Sequence, residues 1–246
     1  MYSKDFFVTM TENYEYIKRN LDGLTKELAE LARRAGRDKV TLVCVTKSGS
    51  DGELSALVRA GASDIGENRP QELKRRGELL YSEGLSPKLH EIGTLQRKNV
   101  KYIIDKAALI HSLDSLELAL EINKRALAIG RRVPVLVEVN SGREPNKSGV
   151  LPEDVESFYE SVRSLEGIEI SGLMTMGPAL DDAEDMRPYF RLTKEIFDKM
   201  NNRHAFSGEG VLSMGMSDSY KVAIEEGATL VRVGRKLFIK GEDENV

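Results

Sequence analysis

Short stretches of β-forming residues alternate with amphipathic helical stretches along most of this chain, and this alternation limits the fold more than any other feature. The stretches VTLVCV and VLVEV are almost continuously apolar, which is typical of parallel strands that are buried on both faces. Strands that alternate with helices indicate right-handed β-α-β units and a parallel sheet. The predicted strands are Val40–Thr46, Ser63–Gly66, Lys88–Ile92, Leu109–Ser112, Pro134–Val139, Ile168–Met174, Val211–Met214 and Leu230–Val233.

Eight such units in 246 residues match an α/β fold of the closed (β/α)8 TIM-barrel type, and we predict this fold. An open, doubly wound parallel sheet is the alternative, because periodicity alone does not establish that a sheet closes. The chain shows no linker and no low-complexity stretch, so residues 1–246 are expected to form one domain. Within it, residues 39–240 are assigned to the barrel.

An extra helix is predicted before the first strand, within residues 1–38. Thr9 and Glu12 have the spacing of a capping box, and Gly36 stands where the helix would stop. The apolar residues recur at intervals of three and four, at Tyr14, Ile17, Leu21, Leu24, Leu28 and Leu31. We interpret this segment as a helix that covers the barrel. The last residues, 241–246, read as an acidic, solvated tail.

Start and stop signals also bound helices inside the barrel segment. Pro152 lies at a first-turn position, where its missing N–H costs nothing, and Gly167 is expected to end that helix. Ser217 and Asp218 are suitable caps for the helix that follows the seventh strand.

The composition argues against several classes of function. Lys plus Arg number 36 and Asp plus Glu number 40, and the resulting net charge of −4 does not favour a nucleic-acid-binding protein. Cys44 is the only cysteine and there are three histidines, which argues against disulfides and against cysteine-rich or multi-histidine metal sites. No apolar run is long enough to span a bilayer, and the first residues do not resemble a secretion signal. We therefore expect a cytoplasmic protein without a membrane partner.

Polar residues and glycines gather where the predicted strands end. In a (β/α)8 barrel the carboxyl ends of the strands form one rim, and the chemistry of such barrels takes place there. A small-molecule site is therefore expected at this rim. Its candidate residues are, in chain order, Lys47, Glu67, Asn68, His90, Gly93, Ser112, Asn140, Ser141, Gly142, Thr175, Met176, Gly177, Ser213, Met214, Gly215, Arg232 and Gly234.

Lys47 follows the first predicted strand and shares a face with Val43 and Val45 in its alternation. Burial in an apolar interior lowers the pKa of a lysine, because desolvation disfavours the charged form. The neutral amine is a nucleophile that can form an imine with an aldehyde or ketone. A lysine at a strand end can instead extend its amine to solvent, and from this residue alone that second interpretation is favoured.

Two other features of the rim point to anion binding. Arg232, in the eighth strand, keeps its charge and needs a fixed acceptor, either a structural carboxylate or a ligand anion or ring nitrogen. The glycine turns at residues 213–215 and 234–235 are candidate phosphate sites, because backbone N–H groups at a helix start bind phosphate. The alternative is that these glycines only form turns and bind no phosphate. The polar loop 141–149 is interpreted as a flap or a long connection, with solvated Arg143 and Lys147.

Eight blocks of the sequence together resemble the pyridoxal phosphate homeostasis family, whose members are single-domain relatives of the alanine racemase barrel. The similarity extends from about Val40 to Phe238. Each block is weakly specific, but their common order makes the set highly specific. The blocks are LVCVTK, GASDIGENRPQE, LHEIGTLQRKNVK, IHSLDS, VEVNSGREPNKSG, GLMTMG, LSMGMSDSYKVAIEEG and VRVG.

The resemblance implies that the chain binds pyridoxal 5′-phosphate and that Lys47 forms the imine with it. It implies that Arg232 faces the pyridine nitrogen, and that Asn68 and His90 line the cavity near the cofactor. The phosphate pocket would be bounded, largely through backbone N–H groups, by Ser213, Met214, Gly215 and Gly234. An arginine does not readily give a proton to the ring nitrogen, so the ring would be a weaker electron sink and carbanion chemistry would be restrained.

The sequence departs from the family pattern at several positions. Leu89 stands where a Trp is usual, and Ile65 stands where a Phe is usual. Ser48 and Gly49 replace a Thr-Lys-Pro type of continuation after the lysine. Arg235 replaces a Thr or Ser, which puts one side-chain phosphate contact in doubt. It would supply a cationic contact instead if its side chain points inward.

The predicted function is storage and delivery of pyridoxal 5′-phosphate without catalytic turnover, by a monomer whose candidate recipients are apoenzymes that use the cofactor. An amino-acid racemase acting on this cofactor is one alternative, and it needs two acid–base groups. Lys47 is one candidate for them, and Tyr220 is the only tyrosine within a matched site block. A class I aldolase that forms an imine with a sugar phosphate is the other alternative.

Overall fold

The computed structural model describes residues 14–240. Its eight parallel strands form a closed barrel in sequence order, in which β8 pairs with β1. The predicted (β/α)8 barrel is therefore confirmed, and the open doubly wound sheet is wrong. The strands are β1 Thr41–Val45, β2 Asp64–Glu67, β3 Lys88–Glu91, β4 Ala107–Leu113, β5 Val133–Glu138, β6 Ile168–Met174, β7 Val211–Ser213 and β8 Leu230–Val233.

Helices cover the outside of this barrel. The 3-10 helices Arg97–Tyr102 and Arg235–Leu237 follow β3 and β8, where the other strands are followed by α-helices. No helix within residues 14–240 combines the length and the apolar character needed to cross a bilayer. The α-helices are α1 Glu15–Arg34, α2 Asp51–Arg59, α3 Pro70–Ser82, α4 Leu116–Ala128, α5 Val155–Val162, α6 Arg187–Asn201 and α7 Tyr220–Glu225.

Helix α1 is the predicted covering helix. It packs against α2 and α7 and contributes one buried apolar stripe that runs from Ile17 to Ala32. Burying a single leucine of such a stripe stabilises the fold by about 1.5–3 kcal/mol. The proposed capping box at Thr9 and Glu12 and the acidic tail at 241–246 lie outside the described residues.

The helix that was expected to end at Gly167 stops earlier, at Val162. Pro152 opens a 3-10 turn that leads into it, as its first-turn position suggests. Gly167 has another role, because a Cβ there would lie 2.6 Å from the carbonyl oxygen of Asn123 on α4. Its N–H donates a hydrogen bond to Asn123 Oδ1 at 2.7 Å. Gly167 therefore allows the start of β6 to approach α4.

The alternation of each strand divides its side chains between two cores. One core fills the space between the strands and the surrounding helices. The other lies in the lumen of the barrel and is formed by Val43, Leu109, Leu136, Met174 and Leu230. Polar side chains complete the lumen toward the rim, and they form the candidate site.

Candidate functional site

Lys47 lies on a turn at the rim and is exposed. Strand β1 ends at Val45, and the N–H of Gly49 donates to the carbonyl of Thr46 at 2.9 Å, which closes the turn around Lys47. Of the two interpretations of Lys47, the amine extended to solvent, which the residue alone favours, agrees with this exposure, because strand β1 stops two residues before the lysine.

The turn is held from outside the barrel by Arg76 on α3. This guanidinium donates to the carbonyl oxygens of Thr46 at 2.6 Å and Gly49 at 2.7 Å. It also pairs with Glu67 at 2.6 Å, and the Thr46 hydroxyl donates to the same carboxylate. All three side chains are buried. The backbone on both sides of Lys47 is thus fixed although its side chain is free.

Glycines bring the neighbouring segments close to this turn. A Cβ at Gly234 would lie 2.8 Å from the carbonyl oxygen of Val45, so the end of β8 packs directly against the end of β1. A Cβ at Gly49 would lie 2.6 Å from the ring of Phe238. The departure from the family pattern at Gly49 therefore has a packing reason.

Asn68 shares an open cleft with Lys47. This cleft has a volume of about 500 Å3, and Asn68 enters it from the segment after β2. Gly93 packs on the backbone of Asn68, because a Cβ there would lie 2.2 Å from its carbonyl oxygen. The structure thus brings together two of the residues that sequence reasoning selected. The remaining lining residues are Ser48, Glu67, Arg69, Glu72 and Arg76.

Arg232 points into the lumen and is 4% exposed. It donates to the hydroxyl of Ser213 and to the carbonyl of Thr175, the latter at 3.0 Å. Those bonds use both terminal nitrogens, and no hydrogen bond between described residues engages Nε. Burial lowers the pKa of Arg232 to about 10, which Glu138 partly opposes, so the side chain stays charged at neutral pH.

His90 lies in the lumen below the rim, not in the cleft of Lys47 and Asn68. Its ring nitrogens contact His111 and Asp64, each at 3.0 Å. His111 in turn contacts the Ser213 hydroxyl at 3.0 Å. Sequence reasoning missed His111, although its alternation with Leu109 along β4 places it on the lumen face.

Glu138 is a second lumen residue that sequence reasoning missed. It is buried, and its Oε2 has no hydrogen-bond partner within residues 14–240. Burial raises the pKa of Glu138 to about 7, and the charge of Asp114 raises it further while Arg232 opposes the shift. A carboxylate inside the apolar stretch VLVEV is the signal that could have identified it.

The turns after β7 and β8 use some of their backbone N–H groups for hydrogen bonds within the protein. The N–H of Met214 donates to the Leu230 carbonyl at 3.1 Å, as part of the sheet. Gly215 has a φ of +91°, and a Cβ there would lie 2.5 Å from the Cβ of Ala223 on α7. The N–H of Gly234 donates to the Ser217 hydroxyl at 3.3 Å. Two of the expected phosphate donors are therefore engaged within the protein.

Ser217 and Asp218 do not cap α7, which has Ser219 at its N-cap position. Asp218 pairs with Arg235, whose side chain is 68% exposed and points outward. The inward cationic contact considered for Arg235 is therefore not formed.

The loop 141–149 is tied to the barrel. Asn140 Nδ2 donates to the carbonyl of Glu144 at 2.9 Å, and the Glu144 N–H donates back to Asn140 Oδ1 at 3.1 Å. Arg143 pairs with Glu153 at 3.1 Å, and Lys147 pairs with Glu144 at 2.7 Å. Both cations are on the surface, as expected, and the loop is a braced connection.

Tyr220 faces away from the rim. Its hydroxyl donates to Glu27 on α1 at 2.7 Å and accepts from Lys236 at 2.8 Å. It is 1% exposed and is therefore a packing residue between α7 and α1.

Comparison with known proteins places these features in a family. The model of the alanine racemase N-terminal domain matches residues 19–240. A pyridoxal phosphate homeostasis protein of Aquifex aeolicus is 40% identical over 220 residues, which cover 89% of this chain and 95% of that protein. One of Helicobacter pylori is 35% identical over 224 residues, covering 90% and 97%.

Solved structures show the same relationship. PipY of Synechococcus elongatus, determined with PLP bound, matches with a TM-score of 0.79 and 27% identity over 91% of this chain and all (100%) of that one. A protein of unknown function from Bifidobacterium adolescentis has a TM-score of 0.84 and 32% identity, covering 92% and 95%. Alanine racemase of Clostridium difficile, at 20% identity and a TM-score of 0.67, shares the fold over 89% of this chain and 60% of its own.

Proposed function

Because this chain belongs to the pyridoxal phosphate homeostasis family, we propose that it binds pyridoxal 5′-phosphate at the rim of its barrel and holds it for storage and delivery. The Nζ atom of Lys47 would condense with the aldehyde of the cofactor. In that step a C=N bond forms and the aldehyde oxygen leaves as water. The bound PLP in PipY supports the choice of cofactor.

The observation that carries the proposal is the position of Arg232 relative to Lys47. Strands β1 and β8 are neighbours, and Val43 is in register with Arg232. Lys47 follows Val43 by four residues, so the amine lies at the rim while the guanidinium lies deeper, in the lumen. A cofactor with an aldehyde on one side of its ring and a nitrogen on the other needs partners at two such levels.

The ring partner would be Arg232, through the Nε–H that no hydrogen bond between described residues engages. Because this guanidinium stays charged, it holds the ring nitrogen as an acceptor and does not protonate it. An unprotonated ring is a weaker electron sink than a pyridinium. That property suits a protein that retains the cofactor more than one that uses it to form carbanions.

The phosphate pocket is proposed at the turns that follow β7 and β8, bounded by Ser213, Met214, Gly215 and Gly234. Met214 already donates its N–H to Leu230, so it would contribute to the walls of the pocket. Gly215 follows it with a positive φ and is the backbone donor that we assign to the phosphate. Asn68 would contact the cofactor in the cleft of Lys47, and His90 would act from below through the lumen.

Storage is favoured over racemisation because of where the tyrosine lies. A racemase needs a second acid–base group opposite the lysine. Tyr220, the only tyrosine within the matched blocks, donates its hydroxyl to Glu27 and is buried between two helices. We therefore propose holding and delivery as the activity of this site, with apoenzymes as recipients. We also propose that the chain acts as a monomer in the cytoplasm.

An absorption titration tests the proposal. Purified protein is mixed with pyridoxal 5′-phosphate, and separately with a triose phosphate as the substrate of an aldolase. We expect a visible band with the cofactor that is lost in Lys47→Ala and retained in the control Lys147→Ala, which removes another exposed rim lysine. A protein that takes up no cofactor and instead cleaves or condenses the sugar phosphate would contradict the proposal and support the aldolase.

A further inference from the structure

A continuous series of hydrogen bonds crosses the lumen of the barrel. Asp64 Oδ1 contacts His90 Nε2, and His90 Nδ1 contacts His111 Nε2, each at 3.0 Å. His111 Nδ1 contacts the Ser213 hydroxyl at 3.0 Å, and Arg232 contacts the same hydroxyl. We name these five residues the lumen chain.

The lumen chain joins the two ends of the barrel. Asp64 is the first residue of β2, at the amino-terminal face, where it lines a cleft beneath α1. Arg232 lies near the opposite rim, below Lys47. Between them stand three fully or almost fully buried side chains: His90 is 4% exposed, while His111 and Ser213 are 0% exposed. Water therefore does not replace any of these internal contacts.

The two ends give the lumen chain a direction. A guanidinium can only donate hydrogen bonds, and an ionised carboxylate can only accept them. Burial alone would raise the pKa of Asp64, but the hydrogen bonds from His90 and Ser63 outweigh it and hold that pKa below its ordinary value. Arg232 therefore donates to Ser213 at one end, and Asp64 accepts from His90 at the other.

Because Arg232 donates at one end and Asp64 accepts at the other, the ring nitrogen that carries the proton is determined for both His90 and His111. Burial, with the adjacent His90 and Arg232, holds the pKa of His111 well below its ordinary value, so this ring is neutral. Ser213 accepts from Arg232 and donates its own proton to Nδ1 of His111. His111 then carries its proton on Nε2 and donates it to His90, which donates from Nε2 to Asp64. The protons of Ser213, His111 and His90 each have an acceptor in this arrangement.

We propose that His90 and His111, anchored by Asp64 at the opposite end of the barrel, are positioning residues for Arg232. The lumen chain would fix the orientation of the guanidinium that faces the cofactor ring. The hydrogen-bonded chain itself does not depend on the proposed function, whereas its effect on the cofactor does.

Glu138 is the carboxyl group whose charge acts on Arg232, but it does not orient the guanidinium through a hydrogen bond. No hydrogen bond joins the two side chains, and Oε2 of Glu138 has no partner within the described part of the chain. Its carboxyl group is partly protonated at neutral pH, as its raised pKa shows. Asp64, which is ionised, is joined to Arg232 by four hydrogen bonds in series.

An alternative proton arrangement makes the proposal testable without any cofactor. If His90 carried two protons, His111 would accept on Nε2 and donate from Nδ1 to Ser213. The Ser213 proton would then have no acceptor within the lumen chain, and an unpaired buried donor is costly. This arrangement breaks the lumen chain at Ser213. The two proton arrangements differ in the tautomer of His111, which carries its proton on Nε2 in the first and on Nδ1 in the second.

The first test is nitrogen NMR of the cofactor-free protein labelled at histidine. We expect both buried rings to be neutral with the proton on Nε2, while exposed His204 serves as the solvent reference. A proton on Nδ1 of His111, or on both of its nitrogens, would overturn the proposal. The outcome is independent of whether the protein binds pyridoxal 5′-phosphate.

The second test is Asp64→Asn, in which the amide oxygen can still accept from His90 but the charge is gone. Its control is Asp38→Asn, which removes a charge from the same cleft. We expect the visible absorption of bound pyridoxal 5′-phosphate to shift and its affinity to fall about fivefold in Asp64→Asn, the low end of coupling between separate sites. Unchanged spectra and affinity in a folded Asp64→Asn protein would contradict the role of Asp64. Failure of the wild-type protein to bind would contradict the proposed function instead.

Discussion

Arg76 donates a hydrogen bond of 2.6 Å to the main-chain carbonyl of Thr46, the residue that precedes Lys47. A second bond reaches the carbonyl of Gly49, so one buried side chain of α3 holds both ends of the lysine turn. Lys47 itself is exposed. Its position therefore depends on a helix that lies outside the barrel, and not on burial of its own side chain.

Replacing Arg76 with Met is expected to affect both stability and the lysine. The change leaves Glu67 buried without its ion-pair partner, which costs about 3–5 kcal/mol in the free energy of unfolding. It also releases the turn, so we expect cofactor affinity to fall at least about tenfold, equivalent to about 1.4 kcal/mol. Urea unfolding and absorption titration measure the two effects.

Arg75→Met is the matched control on the same helix. Arg75 pairs with Asp51 and Glu72 at the surface, with its side chain 48% exposed, and such pairs contribute about 0–1 kcal/mol. Equal losses of stability in the two variants, or full cofactor affinity in Arg76→Met, would show that the turn does not depend on α3.

Replacing Arg232 with Gln is expected to change the cofactor spectrum more than the fold. Glutamine can still reach one of the two acceptors, Ser213 or the Thr175 carbonyl, but it brings no charge to the pyridine nitrogen. The visible band should therefore shift, while the protein keeps a cooperative unfolding transition. A variant that unfolds, and whose surviving fraction shows the wild-type spectrum, would identify Arg232 as purely structural.

Glu91 makes the stability of the barrel depend on pH. It is 0% exposed, and neither carboxylate oxygen has a hydrogen-bond partner within residues 14–240. Burial raises the pKa of Glu91 to about 8, and the charge of Glu67 also raises it. Because the pKa of Glu91 is higher in the folded state than in the unfolded state, the folded state binds this proton more tightly. The stabilising contribution is therefore complete below about pH 4.5 and is lost as pH rises to about 8.

Glu91→Gln should remove this dependence, because the amide has the shape of the protonated acid. We expect the variant to be about 4 kcal/mol more stable than the wild type near pH 8, with the difference shrinking toward pH 5. Exposed Glu195→Gln is the control. Parallel stability curves for Glu91→Gln and the wild type between pH 5 and pH 9 would contradict the prediction.

The fold follows from local patterns in the sequence. The predicted strands Ile168–Met174 and Leu230–Val233 have the bounds of β6 and β8, because apolar runs with clear flanking turns identify such strands. The end of α5 was missed because Gly167 is required by its contact with Asn123 and not by a helix stop. The residues around a glycine do not show whether it ends a helix or allows a close contact with a distant segment.

The sequence predicted those parts of the candidate site that depend on a residue and the end of its own strand. It did not predict the contacts between segments that are far apart in the sequence. Lys47 and Asn68 share a cleft because they end adjacent strands. The position of the turn around Lys47 depends on Arg76, which is 30 residues away from its hydrogen-bond partner Thr46. The role of His111 depends on Ser213, which is 102 residues away across the lumen. Such contacts come from barrel closure and leave no pattern within a short window.

Reductive trapping tests the central claim most directly. Protein loaded with pyridoxal 5′-phosphate is treated with borohydride, digested, and mapped by mass spectrometry to locate the reduced cofactor. We predict a single modified peptide that carries the label on Lys47, and no labelled peptide from Lys47→Ala treated in the same way. A label on another lysine, or unlabelled protein after saturation with the cofactor, would contradict the account.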